Sequence, residues 1–404
     1  PEKLSFLEQV RLFSNAKVLV GSSGAAMANI IFCRPGTEIN ILISTFADTS
    51  YWYWQNIACA TGNEVQYVLG RRRQGDNLGI HADFIIEDKN INILLSGGWR
   101  EIIKQSDYAI RHAIKSHRLA AETKVDTPIP LAFPVEDRGY LVSPHGCYEF
   151  PEIVVTEVPK ATVYGGSNFV LAGDAVLCHD LYDFSRDSTS EELHGRTLID
   201  PKRMRVRWLL HDETPESLLC AAVFTDATAP NYAHWLTEVL PRIAIFCAAE
   251  QYAQVPLVVD AGLHRNLMES LILIAGGQRE IICLPIGRSI AVERLYITSA
   301  CGYVPFERRN TKLAGHSHGK FSSVALEITR AKLLEAAAQS GQVGLPEKIY
   351  LRRTSGTRKV INMAEIEKLL VSCGFAIVEP EKLSFLEQVR LFSNAKVLVG
   401  SSGA

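Results

Sequence analysis

The chain has 404 residues, of which 47% are hydrophobic, and its formal net charge is −2. This is an ordinary globular composition with room for two domains, and no apolar run approaches the roughly 18 residues of a membrane-spanning helix. The near-neutral charge gives no reason to expect a nucleic-acid partner. Nine cysteines without a C-x-x-C pair favour a reducing compartment, so we expect a cytoplasmic protein, with peripheral attachment to a membrane left open.

The first 25 residues recur at the end of the chain. Pro1–Ala25 is identical to Pro380–Ala404, at an offset of 379 residues. Repeat arrays have periods of roughly 20 to 50 residues and diverge in their loops, so one exact copy at each end does not indicate a solenoid. We interpret the chain as a window on a sequence of period 379, produced by tandem duplication, a circularised assembly or permutation. The natural order would then be roughly 100–404 followed by 26–97.

The N-terminal elements alternate between helix and strand. The repeated segment predicts a helix, "SFLEQVRLFSNA", which is capped in the second copy by Ser384 and Glu387, and then a strand, "KVLV". "GSSGAAMANIIF" predicts a turn into a helix, and "TEINILI", "SYWYWQNIACATG" and "EVQYVL" follow as strand, helix and strand. This alternation is typical of parallel β-α-β units. Only Lys17–Val20 or its twin Lys396–Val399 can occupy the sheet, so we expect the other copy to be displaced or disordered.

The middle of the chain predicts a second α/β unit. Residues 70–121 read as basic and become helical, and "DTPIPLAFPVEDRG" reads as a linker because of its three prolines. "ATVYGG", "NFVLAGDAVL", "RVRWLL" and "LLCAAVF" are strand-like, and the second of them contains a hairpin turn. Helices and strands alternate again from "NYAHWLTEVLPRIAIFCAAEQY" to "EIICLPI". "SSVALEITRAKLLEAAAQSG" predicts a long bridging helix, and "KIYL", "INMAEIEKLLVSCGF" and "AIV" predict strand, helix and strand.

Three motifs carry residues suited to chemistry at the ends of strands, where ligands bind in such sheets. The first is "KVLVGSSGAAMAN", whose turn offers free N–H groups to an anion, although a tight structural turn is an equal alternative. It is neither a dinucleotide fingerprint nor a P-loop. The second is "YLRRTSGTRKVIN", in which Arg352, Arg353 and Arg358 could bind phosphate oxygens. Exposed surface arginines remain the alternative there.

The third motif is "DATAPNYAHWLTEVLPR". His234 and Glu238 are four residues apart on a predicted helix and therefore share a face. A histidine oriented by a glutamate can act as a general base near neutral pH. A histidine hydrogen-bonded in a domain interface is the competing interpretation, and the residues alone favour it.

Read together, these motifs resemble glycosyltransferase family 61, also called the DUF563 family. The likeness rests on H-W-x-x-E-x-L-P-R, on R-R-x-x-x-x-R, and on E-Q-V-x-L-F-x-x-A followed by G-A-x-x-x-N-x-x-F-x-x-P-G. The resemblance implies an α/β fold of GT-B type, with two Rossmann-like lobes and a cleft between them. It implies an inverting, metal-independent transferase of polysaccharide biosynthesis. The enzyme would use no cofactor and would move a sugar from a nucleotide-sugar donor, UDP-linked by expectation, to a glycan or other hydroxyl acceptor.

The resemblance also implies roles for particular residues. His234, supported by Glu238, would face the acceptor hydroxyl. If His234 is not the base, Glu238 or Asp226 becomes the candidate. The donor diphosphate would be bound by the three arginines and the glycine turn: Arg352, Arg353, Arg358, Ser23, Gly24, Ala25 and Asn29, with Gly403 and Ala404 as the second-copy equivalents. Many family members carry histidine where this chain has Ser23, and an acidic residue near Asn40 and Ile41. Donor choice can therefore differ.

In domain terms, the resemblance implies four segments. Residues 1–97 would be the C-terminal half of the donor-binding lobe, 98–140 a helical segment and linker, 141–322 the acceptor-side lobe, and 323–404 the bridging helix with the first half of the donor lobe. Residues 26–70 would then pack beside 348–378. A nucleotide-sugar or glycan-binding protein without turnover is the alternative function, and an oxidoreductase is disfavoured because the dinucleotide fingerprint is missing.

Overall fold

The computed structural model describes residues 3–45, 50–72, 82–87, 99–141, 146–183, 197–208, 215–305, 318–339, 344–353 and 360–401. It separates into two compact units, Pro1–Gly98 and Trp99–Ala404. In both units, helices alternate with strands, so the predicted α/β class is confirmed. Within the described residues, no helix is both long enough and apolar enough to cross a bilayer.

The first unit is a four-stranded sheet with helices on it. Its helices are α1 (Phe6–Asn15), a 3₁₀ helix (Ala25–Phe32) and α2 (Trp52–Ala60), and its strands are β1 (Val18–Ser22), β2 (Glu38–Ser44), β3 (Glu64–Arg72) and β4 (Phe84–Ile85). The strand order is β1-β2-β3-β4, and the first three strands are parallel. Ser5 and Glu8 form a capping box that fixes the start of α1. The core is apolar and includes Phe13, Met27, Ile39 and Ile41.

The second unit is built on an eleven-stranded sheet. Its strand order is β12-β13-β5-β11-β10-β9-β17-β14-β15-β16, with β6 paired to β9. These strands are β5 (Trp99–Lys104), β6 (Ser116–Ala120), β9 (Ile153–Tyr164), β10 (Val170–Ala172), β11 (Ala175–Cys178), β12 (Thr197–Asp200), β13 (Arg205–Trp208), β14 (Glu216–Val223), β15 (Leu257–Asp260), β16 (Ile281–Leu284) and β17 (Ser289–Thr298). The predicted hairpin of β10 and β11 is confirmed, and Gly173 turns it with a φ of 59°.

Helices cover this sheet and connect its parallel part. They are α3 (Gln105–Arg111), α4 (Tyr232–His234, Trp235–Val239 and Leu240–Ala248 in succession), α5 (Arg265–Ala275) and α6 (Ser323–Ala338). Short elements complete the unit: β7 (Thr123–Asp126) pairs with β8 (Cys147–Phe150), β18 (Gly302–Tyr303) pairs with β19 (Lys320–Phe321), and 3₁₀ turns lie at Val135–Tyr140, Glu250–Tyr252 and Pro380–Lys382. The largest core packs α4 and α5 onto β14 and β15, with Trp235 and Phe246 fully buried.

A small parallel sheet ends the chain. Its strands are β20 (Lys348–Leu351), β21 (Ala376–Val378) and β22 (Val397–Gly400), in the order β21-β20-β22. Helix α7 (Met363–Ser372) joins β20 to β21, and α8 (Phe385–Asn394) joins β21 to β22. Glu269 of α5 accepts the backbone N–H groups of Phe385 and Leu386, so the start of α8 is fixed to the second unit.

Two sequence predictions are wrong in this structure. The two copies of the repeated segment both form a helix and a strand, in separate sheets: β1 pairs with β2, and β22 pairs with β20. One copy is therefore not displaced to let the other complete a single sheet, because each copy finds a parallel partner strand of its own. Residues 99–120 are also less helical than predicted. Trp99–Lys104 is a strand because it pairs with β11 and β13, and these long-range pairings override its helical pattern.

Candidate active site

The candidate active site begins at a reversal of strand order in the large sheet. Strand β14 has parallel neighbours on both sides, β15 and β17, but the chain passes from β14 through α4 to β15 and reaches β17 only later. Ligands of open α/β sheets bind outside the carboxyl ends of strands at such a switch point. The segments leaving β14 and β17 therefore predict where a ligand lies.

A cavity of about 40 Å³ lies at this switch point. Asp226 and Thr228 come from the segment after β14, and Ala300 comes from the segment after β17. Side chains from α4 and from neighbouring loops close the cavity: Glu238, Arg242, His179, Tyr182 and Tyr303. The cavity thus combines carboxylates, a guanidinium and aromatic rings, which are the groups that orient a polyhydroxylated ligand.

Helix α4 presents its functional side chains from a π-helical turn. Leu240 N–H donates to the carbonyl of Trp235, five residues earlier, within Trp235–Val239. Pro241 lacks an N–H, so the carbonyl of Thr237 loses its usual helical partner, which accounts for the wider turn. That carbonyl faces Gly302, where a Cβ atom would lie only 2.2 Å from it. Proline and glycine together therefore make this turn possible.

His234 and Glu238 meet on this turn, as their spacing predicts. The Nδ1 atom of His234 is hydrogen-bonded to Oε1 of Glu238, and Oε2 of Glu238 accepts the backbone N–H of Val304 at 3.3 Å. Burial raises the pKa of Glu238, with a smaller increase from Asp226, while the bond to His234 lowers it. A histidine hydrogen-bonded to a carboxylate in this way is suited to general acid–base chemistry. Glu238 lines the cavity wall, whereas His234 lies beside that wall.

Asp226 is hydrogen-bonded within its own loop. Its Oδ1 accepts the N–H and the hydroxyl of Thr228 at 2.9 and 2.7 Å, and its Oδ2 lies 3.4 Å from Arg242. Its own N–H donates to Asp260, a carboxylate that is only 2% exposed and also accepts the N–H of Gly166. Asp226 thereby holds its loop against the sheet.

A second switch point lies in the small sheet, between β20 and β22. Leu351 and Gly400 are paired residues at the carboxyl ends of these parallel strands. Arg352 and Arg353 follow the first strand directly and Ser401 follows the second, so the predicted arginine motif and the second copy's turn begin at one edge. The remaining residues of this prediction, Arg358, Gly403 and Ala404, lie outside the described residues.

Arg352 has a structural role in this unit. Its guanidinium donates to both oxygens of Glu367 at 2.6 Å and to Glu379 at 3.0 Å. This two-point geometry connects α7 to the end of β21. Two carboxylates therefore already neutralise Arg352.

The glycine turn of the first copy belongs to the other unit. Ser23 is held by two bonds, from its N–H to the carbonyl of Leu42 and from Trp54 Nε1 to its hydroxyl. Asn29 donates to Gln9 and to the carbonyl of Ala26, so its amide stabilises the turn. Gly24 precedes the 3₁₀ helix in an extended conformation, and Ala25 begins that helix.

The structure thus brings His234, Glu238 and Asp226 to one region and places Arg352 and Arg353 at a strand edge. It also adds residues that sequence reasoning did not select. Arg242 is the last residue of the motif H-W-x-x-E-x-L-P-R, so its position in that motif was an available signal. Asp260 directly follows the strand "PLVV", which is where a ligand-side residue is expected. Val304 contributes through its backbone N–H, a group that does not depend on its side chain, so the sequence carries no signal for it.

A comparison with protein families identifies the class of protein to which this site belongs. The family model described as Glycosyltransferase 61 matches residues 1–40 and 232–404, which is more than half of the chain. The protein is therefore a glycosyltransferase. The chain belongs to glycosyltransferase family 61, as its motifs predict. The match includes His234, Glu238, the arginine motif and both copies of the glycine turn, whereas Asp226 lies just outside it. No curated protein matches the chain at a significant level.

Proposed function

We propose that this enzyme is an inverting, metal-independent glycosyltransferase that transfers a sugar from a UDP-linked donor to a hydroxyl group of a glycan or a similar acceptor. The observation that carries the proposal is the part-buried His234–Glu238 pair beside a cavity at the switch point of the large sheet. The same unit holds Arg353 at the switch point of the small sheet. A proton acceptor and a cation for the leaving group are the two parts that such a reaction needs.

The proposed reaction is a single in-line displacement at the anomeric carbon. With Nδ1 of His234 bonded to Glu238, Nε2 is the atom that takes the proton from the acceptor hydroxyl. The acceptor oxygen forms a bond to the anomeric carbon as the bond from that carbon to the diphosphate oxygen breaks. Attack from the face opposite the leaving group inverts the anomeric configuration. Arg353 and Arg358 neutralise the nucleoside diphosphate as it departs, in place of a metal ion.

We also propose that the chain uses the two-lobed GT-B architecture. The order β21-β20-β22 supports this, because a strand order that reverses around the first strand is typical of Rossmann-like sheets. In this proposal the small sheet binds the nucleotide and the cavity beside Glu238 receives the acceptor. The assignment of 1–97, 98–140, 141–322 and 323–404 to donor and acceptor lobes is part of the same proposal.

The experiment is a donor screen followed by a matched pair of variants. Purified full-length protein is incubated with UDP-sugars and a panel of oligosaccharide acceptors, and released UDP and the new glycoside are both measured. With the active donor, Arg353→Ala should reduce kcat/KM by about 10²-fold or more, because fixed charge on a leaving group often contributes that much. Arg11→Ala, on the exposed surface of α1, is the control and should keep full activity.

Two further measurements test the inversion of configuration and the metal independence. Nuclear magnetic resonance of the product should show an anomeric configuration opposite to that of the donor, and activity should persist in excess EDTA. An unchanged rate in Arg353→Ala would contradict the leaving-group role. Retained configuration would contradict the single displacement, and loss of activity in EDTA would contradict metal independence.

A further inference from the structure

The two copies of the repeated segment bury different parts of the same helix. Phe13 of α1 is 4% exposed, but its twin Phe392 of α8 is 38% exposed. The reverse holds at the start of the helix, where Phe6 is 65% exposed and its twin Phe385 is 2% exposed. Since the sequences are identical, only the neighbours of each copy can cause these differences.

In the first copy, an apolar cluster covers Phe13. Phe13 packs in one apolar cluster with Met27 and Ile30 of the 3₁₀ helix and with Ile39 of β2, and Leu19 of β1 packs against that cluster. Met27, Ile30 and Ile39 belong to one stretch of chain, Ala25–Ser44, and the cluster also includes Trp54 and Ala58 of α2. This stretch therefore covers one face of the copied helix and strand.

The same face of the second copy lacks this cover among the described residues. Phe392 lines an apolar groove of about 610 Å³ together with Leu334, Leu351 and Ala395. Leu398, the twin of Leu19, is 52% exposed. Strand β22 lies at the end of its sheet and pairs with β20, whereas its twin β1 pairs with β2. We name the surface formed by Phe392, Ala395 and Leu398 the second-copy face.

We propose that the second-copy face is a docking site for a polypeptide segment with the sequence of Ala25–Ser44. The first copy is the same surface with that occupant in place, so the apolar contacts and the partner strand are already specified. Met27 and Ile30 supply the side chains that fill the space beside the phenylalanine, and Glu38–Ser44 supplies the strand. This mode combines strand addition with an apolar anchor, which is a recurring form of peptide recognition.

Docking has a consequence for the glycine turn. In the first unit the segment begins at Ala25, just beyond the carboxyl end of β1. On the second copy it would begin just beyond β22, at the edge where Arg352 and Arg353 follow β20. The docking itself does not depend on the proposed transferase activity, so the two can fail separately.

The test uses the full chain and a synthetic peptide. A fluorescein-labelled peptide of residues 25–44, carrying Cys33→Ser to prevent oxidation, is titrated with the protein and followed by fluorescence anisotropy. We expect saturable binding at one peptide per chain. The chain's own Ala25–Ser44 is tethered to the first copy at high effective concentration, so the free peptide does not displace it there.

Matched variants identify the surface. Phe392→Asp and, independently, Leu398→Asp should each weaken binding at least tenfold, because they place a carboxylate on the second-copy face. Phe6→Asp changes the same residue type at an exposed position outside this face and should leave binding unchanged. A peptide with Met27→Asp and Ile30→Asp should not bind. Absence of saturable binding, equal binding of that altered peptide, or full binding by both face variants would overturn the proposal.

Discussion

At the scale of single residues, hydrogen-bond partners distinguish the two carboxylates of the site. Glu238 is 9% exposed and Asp226 is 8% exposed, yet they have different partners. Glu238 shares hydrogen bonds with a histidine and one backbone N–H, whereas Asp226 receives two bonds from Thr228 and lies near Arg242. At equal burial, the hydrogen bonds thus distinguish the carboxylate that is paired with a histidine from the carboxylate that holds a loop.

The raised pKa of Glu238 predicts a pH-dependent stability. Burial makes the folded chain bind this proton more tightly than the unfolded chain does, so this contribution is fully present below the usual pKa, about 4.3. It is lost as the pH rises through the raised value. Glu238→Gln stays neutral, so its free energy of unfolding should increase relative to the parent across that interval, by about 1.4 kcal/mol for each tenfold difference in proton affinity.

Denaturant unfolding at a series of pH values measures this difference. Glu335→Gln, on the exposed side of α6, is the control and should follow the parent at every pH. If the free energies of unfolding of Glu238→Gln and of the parent differ by the same amount at every pH, the buried carboxyl does not change its protonation with folding.

His234 should affect the rate and its pH dependence together. His234→Gln keeps a polar side chain next to Glu238 but cannot accept a proton, so kcat should fall by about 10²–10⁴-fold. The acidic limb of the pH–rate profile should disappear with it, while the KM for the donor stays near the parent value. A variant with normal kcat across the pH range would leave Glu238 or Asp226 as the base.

At the scale of elements, one amino-acid sequence behaves as two different helices. The capping boxes of α1 and α8 are the same, with Ser5 and Glu8 in one and Ser384 and Glu387 in the other. Local sequence therefore fixes where each helix begins. It does not fix which side chains are buried, because that depends on the apolar surface that each helix meets.

The twin helices allow the same substitution to be made in two environments. Phe385→Ala removes a ring that is 2% exposed in the main core and should cost about 3–5 kcal/mol. Phe6→Ala removes its 65% exposed twin and should change stability by less than about 0.5 kcal/mol. Thermal and denaturant unfolding measure both values. Equal effects of the two substitutions would contradict the different burial of the two phenylalanine rings.

The close contact between Gly302 and the π-helical turn of α4 predicts that a larger residue at Gly302 will reduce stability. Gly302→Ala places a Cβ atom 2.2 Å from the carbonyl of Thr237, and backbone must move to relieve the contact. Overpacking of this kind costs about 1–3 kcal/mol, and the shift should also reduce activity because Glu238 lies on the same turn. Gly277→Ala, which meets open space, is the control. Crystal structures of both variants would show whether the turn moves.

At the scale of the whole molecule, each compact unit has its own core. The first unit's cluster includes Ile39 and Ile41, and the main cluster of the second unit includes Leu257 and Val259. Separate cores allow local stabilities to differ along one chain.

Core substitutions should therefore act within their own unit. Ile41→Ala, at a fully buried position, should cost about 2–5 kcal/mol and reduce the hydrogen-exchange protection of Glu38–Ser44. Protection of Leu257–Asp260 should stay at the parent level. Leu257→Ala should give the reverse pattern. Loss of protection in both segments in either variant would mean that the units unfold together.

The sequence by itself determined the α/β class, most strands and helices, the family, and the His234–Glu238 pair, because these depend on periodicity, caps and the spacing of residues along one helix. Only the tertiary structure decided that both copies of the repeat form strands, that Arg352 is bound by two carboxylates, and that Asp260 and Val304 support the site. These features depend on which distant residues meet. The clearest case is the pair of Phe13 and Phe392. Their local sequences are identical, so their different burial is set by the residues that surround each of them.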